Sequence, residues 1–286
     1  MKNVKENLIK RKIKLAVISD VHLGTHGCRA KELLYYLHSI EPEYLILNGD
    51  IIDIWQFRKN YFPQEHLEVL KKIIEFSENN TQVIYLTGNH DELLRKFSDV
   101  SLGSIKIVDK HVLWLNGKKA WFFHGDVFDA SIQNAKWLAK IGGWSYDMLI
   151  RFNRVVNWWL IQFGKERYSL SKKIKKSVKK AVKYINNFEN VAADLAIKND
   201  YDYVICGHIH QPVIESKQND KGCCMYLNSG DWIENLSALE YQDDQWRLIY
   251  YEDLNLGKET NRSADPAKST ISGVMEFINS NTNFFS

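Results

Sequence analysis

The chain has 286 residues, of which 45% are hydrophobic and 26% are charged, a composition typical of an ordinary globular protein. This length suffices for one large hydrophobic core, or for one core with an insertion. No uninterrupted apolar run approaches the roughly 20 residues that a membrane-spanning helix requires. The four cysteines lack the spacing of a zinc knot or a disulfide framework, which predicts a reduced, cytoplasmic protein. The basic N-terminus leads directly into the first strand-like run, so we expect no signal peptide.

The net charge of +3 conceals a strong asymmetry along the chain. Residues 131–199 carry 14 Lys or Arg against 4 Asp or Glu, a net charge of +10, so the remainder carries −7. An acidic body is typical of a protein that gathers carboxylates around cations. A basic segment favours an anionic partner.

The first half of the chain alternates between strand-like and helical patterns. The predicted elements are a strand at 14–20, a helix at 29–40, a strand at 44–50 that ends in a carboxylate, a helix at 63–79 and a strand at 82–86. Pro42 should end the first helix and Pro63 should open the second, because proline fits only the first turn of a helix. Short β-rich runs follow in 104–123, where Asn116-Gly117 is a hairpin signal. This order predicts a mixed sheet flanked by helices.

The second half begins with helical periodicity alone and then returns to strands. Strands are predicted at 203–206 and 225–228, and a hairpin-like pair within 237–252. We therefore divide the chain into a core of 1–130 and 200–255, a basic helical insertion or lid at 131–199, and a polar C-terminal tail at 256–286.

Polar side chains follow five of the strand-like runs. Asp50 is typical, since the apolar run 44–47 ends at Asn48-Gly49 and then at this carboxylate. The other such residues are Asp20, His22, Asn89, His90, Asp91, His124, His208 and His210. Any one of them is equally typical of a turn. Together they favour one site, because open α/β sheets bind ligands at the carboxyl ends of their strands.

The residue types at these strand ends indicate a metal centre. Carboxylates, imidazoles and an amide oxygen suit first-row divalent ions such as Mn²⁺, Fe²⁺ or Zn²⁺. The absence of thiolates argues against a closed structural zinc site. Asp50 is the candidate for a carboxylate shared by two ions.

Five motifs resemble those of the calcineurin-like metallophosphoesterase superfamily, namely Asp20-x-His22, Gly49-Asp50, Gly88-Asn89-His90-Asp91, His124-Gly125-Asp126 and Gly207-His208-x-His210. The resemblance implies an α/β fold, an αββα sandwich of two mixed β-sheets, and a metal-dependent hydrolase. It also implies two divalent metal ions, manganese first, with iron or zinc as alternatives. The pattern assigns Asp20, His22, Asp50 and His210 to one ion, and Asp50, Asn89, His124 and His208 to the other.

The same resemblance implies a catalytic role for His90. We expect His90 to face the leaving group, where it stabilises the transition state or protonates the departing oxygen, with Asp91 fixing its orientation. The alternative is a structural histidine behind the ligands. Asp53, Asp126 and Asp129 either support the ligands or are solvated turn acids.

A narrower resemblance concerns the substrate. The motif order, with a basic helical insertion before Gly207, is similar to that of the UDP-2,3-diacylglucosamine diphosphatases, peripheral membrane enzymes of lipid A biosynthesis. It implies cleavage of a lipid-linked nucleotide to UMP and 2,3-diacylglucosamine 1-phosphate, at the inner face of the inner membrane. One departure is that the best-studied branch has arginine in place of His90.

The insertion suggests how such a substrate is held. In 170–185, apolar residues fall on one helical arc and seven lysines on the opposite arc, which favours an anionic membrane surface. A lid helix with a solvated lysine face is the alternative. Candidate substrate contacts are Asn89, His90, Ser169 and Lys173. The lysines lack interleaved aromatics, which disfavours nucleic acid.

Two other interpretations remain open. The substrate could belong to another class, such as a phosphodiester, a nucleotide or a phosphoprotein. A non-catalytic interaction module that keeps the fold is disfavoured, because such a module is expected to lose metal ligands and this sequence retains every one.

Overall fold

The computed structural model describes residues 10–54, 61–128 and 185–255. In chain order its helices and strands are β1 (Arg11–Ile18), α1 (Ala30–His38), β2 (Ile40–Asn48), α2 (Gln64–Glu78), β3 (Gln82–Leu86), β4 (Ser101–Leu102), β5 (Ile105–Val108), β6 (Lys110–Leu115), β7 (Lys118–Phe123), α3 (185–198), β8 (Tyr203–Cys206), β9 (Val213–Asn219), β10 (Gly222–Asn228), β11 (Ser237–Gln242), β12 (Gln245–Tyr250) and α4 (Tyr251–Asn255). Short 3-10 helices lie at Glu92–Phe97 and Asp126–Phe128.

The strands form two mixed sheets, as the resemblance implied. The first has seven strands in the order β12-β11-β1-β2-β3-β5-β4, and the second has five in the order β6-β7-β8-β10-β9. The strands β1, β2, β3 and β5 are parallel, as are β7, β8 and β10, and antiparallel strands complete the edges. The central strands are continuous apolar runs because both of their faces are covered.

Alternate residues of β1 divide between two apolar layers. Leu15 and Val17 face the second sheet, where they belong to the same cluster as Phe122. Ala16 and Ile18 belong to the layer under α1 and α2, with Leu33 among their neighbours. This period of two follows from the pleat of a strand. The sheets therefore share one core, with helices outside the first sheet.

A third layer lies outside the second sheet, against α3. Phe188, Ala192 and Ala196 are buried there, one helical turn apart, in a cluster with Val204 and Tyr226. The C-terminal end of the predicted insertion thus packs as part of the core, which completes the αββα arrangement. Residues 129–184 lie outside the described ranges, and with them Asp129, Ser169, Lys173 and the lysine-rich arc; the tail 256–286 does also.

Several element bounds differ from those predicted. The helix expected to reach Ile40 ends at His38, and β2 begins at Ile40 and includes Pro42. Proline is tolerated there because pairing of β2 with β3 begins only at Tyr44. Sequence reasoning missed β9, a polar edge strand whose apolar period is weak. The bounds of β3 and the Asn116-Gly117 turn, with φ of 47° and 80°, were predicted correctly.

No helix in the described part of the chain is long and apolar enough to cross a membrane.

Candidate metal centre

Polar side chains from the turns after β1, β2, β3, β7 and β8 meet at one edge of the two sheets. Three groups of potential ligand atoms have all their members within 4.8 Å of one another: Asp20, His22 and His210; His22, Asp53 and His90; and Asp50, His124 and His208. The first and third groups contain side chains that the family pattern assigns to two separate ions. Asn89 lies half-buried on the turn after β3.

Five of these residues have left-handed backbone conformations. The φ angles are 52° at Asp20, 54° at His22, 54° at Asp50, 69° at His208 and 53° at His210. Such conformations cost about 1–3 kcal/mol each outside glycine and persist only where the surroundings impose them. In this protein the left-handed residues lie directly after the strands, and their own side chains are the ones that meet in the cleft.

The carboxylates of Asp20 and Asp50 are held in the same manner. One oxygen of each accepts a backbone N–H: His208 N lies 3.0 Å from Asp20 Oδ2, and His90 N lies 2.8 Å from Asp50 Oδ1. The other oxygen faces an imidazole, with 3.1 Å from Asp20 Oδ1 to His210 Nε2 and 3.3 Å from Asp50 Oδ2 to His124 Nε2. The backbone thus fixes each carboxylate while leaving one oxygen directed into the cleft.

Two glycines make this close packing possible. A Cβ at Gly88 would overlap Asp50 Oδ1, and a Cβ at Gly49 would overlap the ring of His124. The close approach of backbone and ligand in this cleft is therefore available only without a side chain at either position.

Buried polar atoms without hydrogen bonds indicate that a cation fits this cleft. Asp20 Oδ1, His22 Nε2 and His124 Nε2 are buried and have no hydrogen-bond partner, although buried polar atoms are nearly always paired. His124 Nδ1 lies 2.9 Å from the carbonyl oxygen of Asn48, so it donates there and Nε2 presents a lone pair. A positive charge at Nε2, either a proton or a metal ion, stabilises its contact with the Asp50 carboxylate, and the donor set is one that first-row divalent ions prefer.

The electrostatics of the imidazoles agree with this requirement for positive charge. Burial lowers the pKa of His210, but the Asp20 carboxylate outweighs it and raises that pKa to about 9. Burial also lowers the pKa of His124. The carboxylates of Asp50, Asp20 and Asp126 outweigh this effect, so the pKa of His124 is raised well above its ordinary value. A metal ion competes with a proton for such nitrogen atoms.

The carboxylate partner of His90 is Asp53, so the predicted pairing of His90 with Asp91 is wrong. His90 Nδ1 lies 3.0 Å from Asp53 Oδ2. Asp91 is fully buried beneath the turn, where its oxygens accept from Gly88 N at 2.5 Å, Ile51 N at 3.0 Å and Tyr85 Oη at 2.6 Å. These three donors occupy both oxygens of Asp91, and His90 Nδ1 contacts Asp53 instead. Asp91 therefore holds the backbone of the ligand turn.

Asp53, which the sequence left undecided, lies between two histidines. Its Oδ2 is 3.9 Å from His22 Nδ1, and the rings of His22 and His90 are 4.5 Å apart, edge to face. Burial raises the pKa of Asp53, but the nearby imidazole of His22 and the hydrogen bond from His90 outweigh it and hold the pKa well below its usual range. The side chain of His90 is 38% exposed, so it borders the cleft from a fixed position.

Arg95 connects two of the ligand turns, and no motif identified it. Its Nη2 lies 2.5 Å from Asp126 Oδ2, two residues beyond His124, and its Nε lies 3.2 Å from Thr87 Oγ1, next to the Gly88 turn. Asp126 is thus a supporting residue rather than a solvated turn acid. The turns after β3 and β7 are joined through this guanidinium.

The fold and the cluster of potential ligands between the ends of the two mixed sheets are those of a metal-dependent hydrolase. The chain belongs to the calcineurin-like phosphoesterase family, whose profile matches residues 13–212, and it is a metal-dependent hydrolase. This confirms the family resemblance of the motifs.

Curated relatives and solved structures were compared with the chain. It is 24% identical over 251 residues to the UDP-2,3-diacylglucosamine hydrolase of Blochmanniella pennsylvanica, covering 82% of this chain and 94% of that protein. It is 24% identical over 274 residues to the UDP-2,3-diacylglucosamine hydrolase of Porphyromonas gingivalis, covering 84% and 98%. Among solved structures, Yfce, a phosphoesterase from E. coli, is 16% identical with a TM-score of 0.42, covering 84% of this chain and 94% of that one.

Proposed function

We propose that this protein hydrolyses the pyrophosphate bond of UDP-2,3-diacylglucosamine, releasing UMP and 2,3-diacylglucosamine 1-phosphate in lipid A biosynthesis. The observation that carries this proposal is the extent of the likeness to relatives named for that substrate. The likeness covers 82–84% of this chain. The residues outside 131–199 make up a smaller share of the chain than this. The likeness therefore reaches into the segment that we expect to select the substrate.

Two divalent ions, Mn²⁺ in this proposal, would be held by the strand-end side chains. Asp20, His22 and His210 would hold one, Asn89, His124 and His208 the other, and Asp50 would be shared. When bound, such ions neutralise negative charge at phosphorus and lower the pKa of water. The chain supplies rigidity: backbone N–H groups fix Asp20 and Asp50, and the carbonyl of Asn48 fixes the tautomer of His124.

His90 would act on the departing phosphate oxygen. Asp53 accepts a hydrogen bond from its Nδ1 at 3.0 Å, so the ring is oriented. Burial lowers the pKa of His90, but Asp53 and Asp50 outweigh it and raise that pKa, and the protonated ring carries a second N–H, at Nε2, that donates into the cleft. Charge on the leaving oxygen would then be stabilised by a donor that needs no rearrangement during the reaction.

Exposed apolar residues beside the cleft support a lipid-linked substrate. Leu93, Phe97 and Val127 are 51%, 54% and 60% exposed, and they lie on the 3-10 helices that follow two ligand turns. These two helices are connected by the contact of Arg95 with Asp126, and large apolar groups exposed on such a surface favour contact with a nonpolar ligand. The basic insertion would then face anionic lipid at the inner face of the cytoplasmic membrane, with Ser169 and Lys173 as substrate contacts.

A second candidate is hydrolysis of another phosphodiester. The observation that favours it is His90 in Gly88-Asn89-His90-Asp91, since this is the general pattern of the superfamily rather than that of the best-studied diphosphatases. Cleavage chemistry at the centre is the same in both cases.

The test is release of UMP from UDP-2,3-diacylglucosamine by the purified protein with Mn²⁺, beside hydrolysis of a simple aryl phosphodiester. The proposal expects both activities, and loss of both in Asp50→Asn. Aryl phosphodiester cleavage without UMP release overturns the substrate and favours the second candidate. Both activities unchanged in Asp50→Asn would overturn the role given to this carboxylate.

A further inference from the structure

A group of aromatic and imidazole rings borders the cleft on the side of β1 and β2. The rings of His26 and Tyr61 lie 3.7 Å apart at an interplanar angle of 38°. Tyr61 and Phe62 both meet His66 edge to face, at 6.0 Å and 5.4 Å. His26 is exposed, Tyr61 and Phe62 are half-buried, and His66 is buried. The group thus has an inner end packed in the protein and an outer face, formed by His26 and Tyr61, toward solvent.

The inner end is fixed to the backbone that carries the ligands. Gly24 N, two residues beyond His22, donates to His66 Nδ1 at 2.9 Å. The N–H of Asp53 donates to the carbonyl of Leu23 at 2.9 Å. A Cβ placed on Gly24 would lie 3.5 Å from the carbonyl oxygen of Asp53 and 3.6 Å from the Phe62 ring. The rings therefore adjoin the His22–Asp53–His90 group through contacts that leave little freedom.

The two sides of the cleft differ in chemistry. Exposed aliphatic and phenyl groups follow the turns of β3 and β7, on Glu92–Phe97 and Asp126–Phe128. The β1 side instead presents flat rings with polar edges, an imidazole and a phenol. Flat rings stack on the face of a nucleobase, and their edges hydrogen-bond to its edge atoms. An acyl chain has no face to match and no edge to bond.

We propose that His26 and Tyr61 form the subsite for the nucleobase of the substrate, on the His90 side of the metal centre. This inference rests on the proposed function, since it assigns one end of a nucleotide-linked substrate to a named surface. The base stacks on the outer face of the His26–Tyr61 pair, and its phosphates extend toward the cleft. The remainder of the substrate then lies on the side of Leu93, Phe97 and Val127.

The test compares the binding of UMP and ribose 5-phosphate to the full-length, Mn²⁺-loaded protein by calorimetry. The two probes share the phosphate and the sugar and differ in the base. Stacking on a protein ring strengthens binding by about fivefold or more per base, so wild type should prefer UMP by at least about that factor. His26→Ala with Tyr61→Ala should bring the ratio of dissociation constants close to one and leave ribose 5-phosphate binding unchanged.

Two variants serve as controls. Tyr61→Phe keeps the ring and should retain most of the preference for UMP. Trp114→Ala removes an aromatic side chain that is 69% exposed on β6, away from the strand ends that form the cleft, and should change neither constant. Thermal unfolding of each variant reports whether the fold is intact.

The outcomes separate this subsite from the proposed function. Equal binding of the two probes by wild type, or an unchanged preference in the double variant, overturns the subsite even if UDP-2,3-diacylglucosamine is cleaved. A preference for UMP that depends on His26 and Tyr61, without cleavage of that lipid, supports the subsite as a nucleotide site and overturns the proposed lipid.

Discussion

His90 Nδ1 and Asp53 Oδ2 lie 3.0 Å apart, although 37 positions separate these residues in the chain. The carboxylate adjacent to His90 in sequence, Asp91, has three donors of its own beneath the turn. The two acids therefore have separate tasks, and substitution can distinguish them. Asp53 orients a ring at the cleft, whereas Asp91 stabilises the turn.

We expect Asp53→Asn to lower kcat by about 10- to 100-fold, the usual cost of removing a partner that orients a functional histidine. The thermal midpoint should change little. Asp91→Asn should instead lower the thermal midpoint, because the new amide N–H₂ opposes three donors, at about 1–3 kcal/mol for a buried group left unpaired. Activity at saturating Mn²⁺ and thermal unfolding are the measurements. The reverse result, a loss of kcat confined to Asp91→Asn, would contradict the assignment.

Arg95→Ala should weaken metal binding, because Asp126 loses its partner and the turns after β3 and β7 lose their connection. We expect an increase of about 10- to 100-fold in the dissociation constant for Mn²⁺, measured by calorimetry. Arg95→Ala, Asp126→Ala and the double variant form a cycle that isolates the coupling between them. Arg29→Ala breaks an exposed pair with Glu32 and should have no effect. Strictly additive changes in the cycle would show that the contact does not position the ligands.

The strands and most of the site were predictable because their signals are local. An apolar run followed by Gly-Asp or Gly-Asn-His-Asp specifies both a buried strand and a polar residue at its end, and β3 has the predicted bounds. Parallel strands then bring distant motifs to one edge without further information. The packing of α3 in the core follows from a similar local pattern, the apolar residues one helical turn apart. This helix was nevertheless predicted as part of the insertion, because the residues before it are basic.

What the sequence did not decide depends on the direction of side chains at neighbouring positions. Asp91 adjoins His90, so adjacency predicted a pair, but the Asp91 carboxylate is engaged by Gly88, Ile51 and Tyr85 instead. Asp53 and Arg95 act through contacts between different turns. Such contacts leave no periodic signal in a single sequence.

Gly88→Ala should abolish metal binding and lower stability. Its Cβ would overlap Asp50 Oδ1 and lie 2.7 Å from the backbone nitrogen of Asp50, so the two ligand turns would have to separate. Overpacking of this kind costs about 1–3 kcal/mol. Gly222→Ala, whose Cβ would lie 3.3 Å from Ile197 Cγ2 on a side chain, is the control and should keep its metal. Metal content after desalting and the thermal midpoint provide the measurements. Normal metal content in Gly88→Ala would mean that the turns are less tightly packed than the structure indicates.

His66 should make the protein less stable at mildly acidic pH. Its ring is 3% exposed, and its Nδ1 accepts the N–H of Gly24, so the neutral form is required. Burial lowers the pKa of His66 below its ordinary 6.5; the neighbouring Glu65 opposes this shift and His26 adds to it. The unfolded chain therefore binds the proton more readily, and the stability that the neutral ring contributes is present above about pH 6.5 and is lost as the pH falls below it.

The measurement is the free energy of unfolding in urea at pH 7.5 and at pH 5.5. His66→Asn replaces the ring with an amide whose oxygen accepts a hydrogen bond but does not titrate in this range. We expect the wild type to lose more stability than this variant between the two pH values. All other ionisable groups are common to both proteins, so the difference between the two losses isolates His66. An equal or greater loss in His66→Asn would mean that the ring accommodates a proton in the folded state, and that Gly24 does not depend on its lone pair.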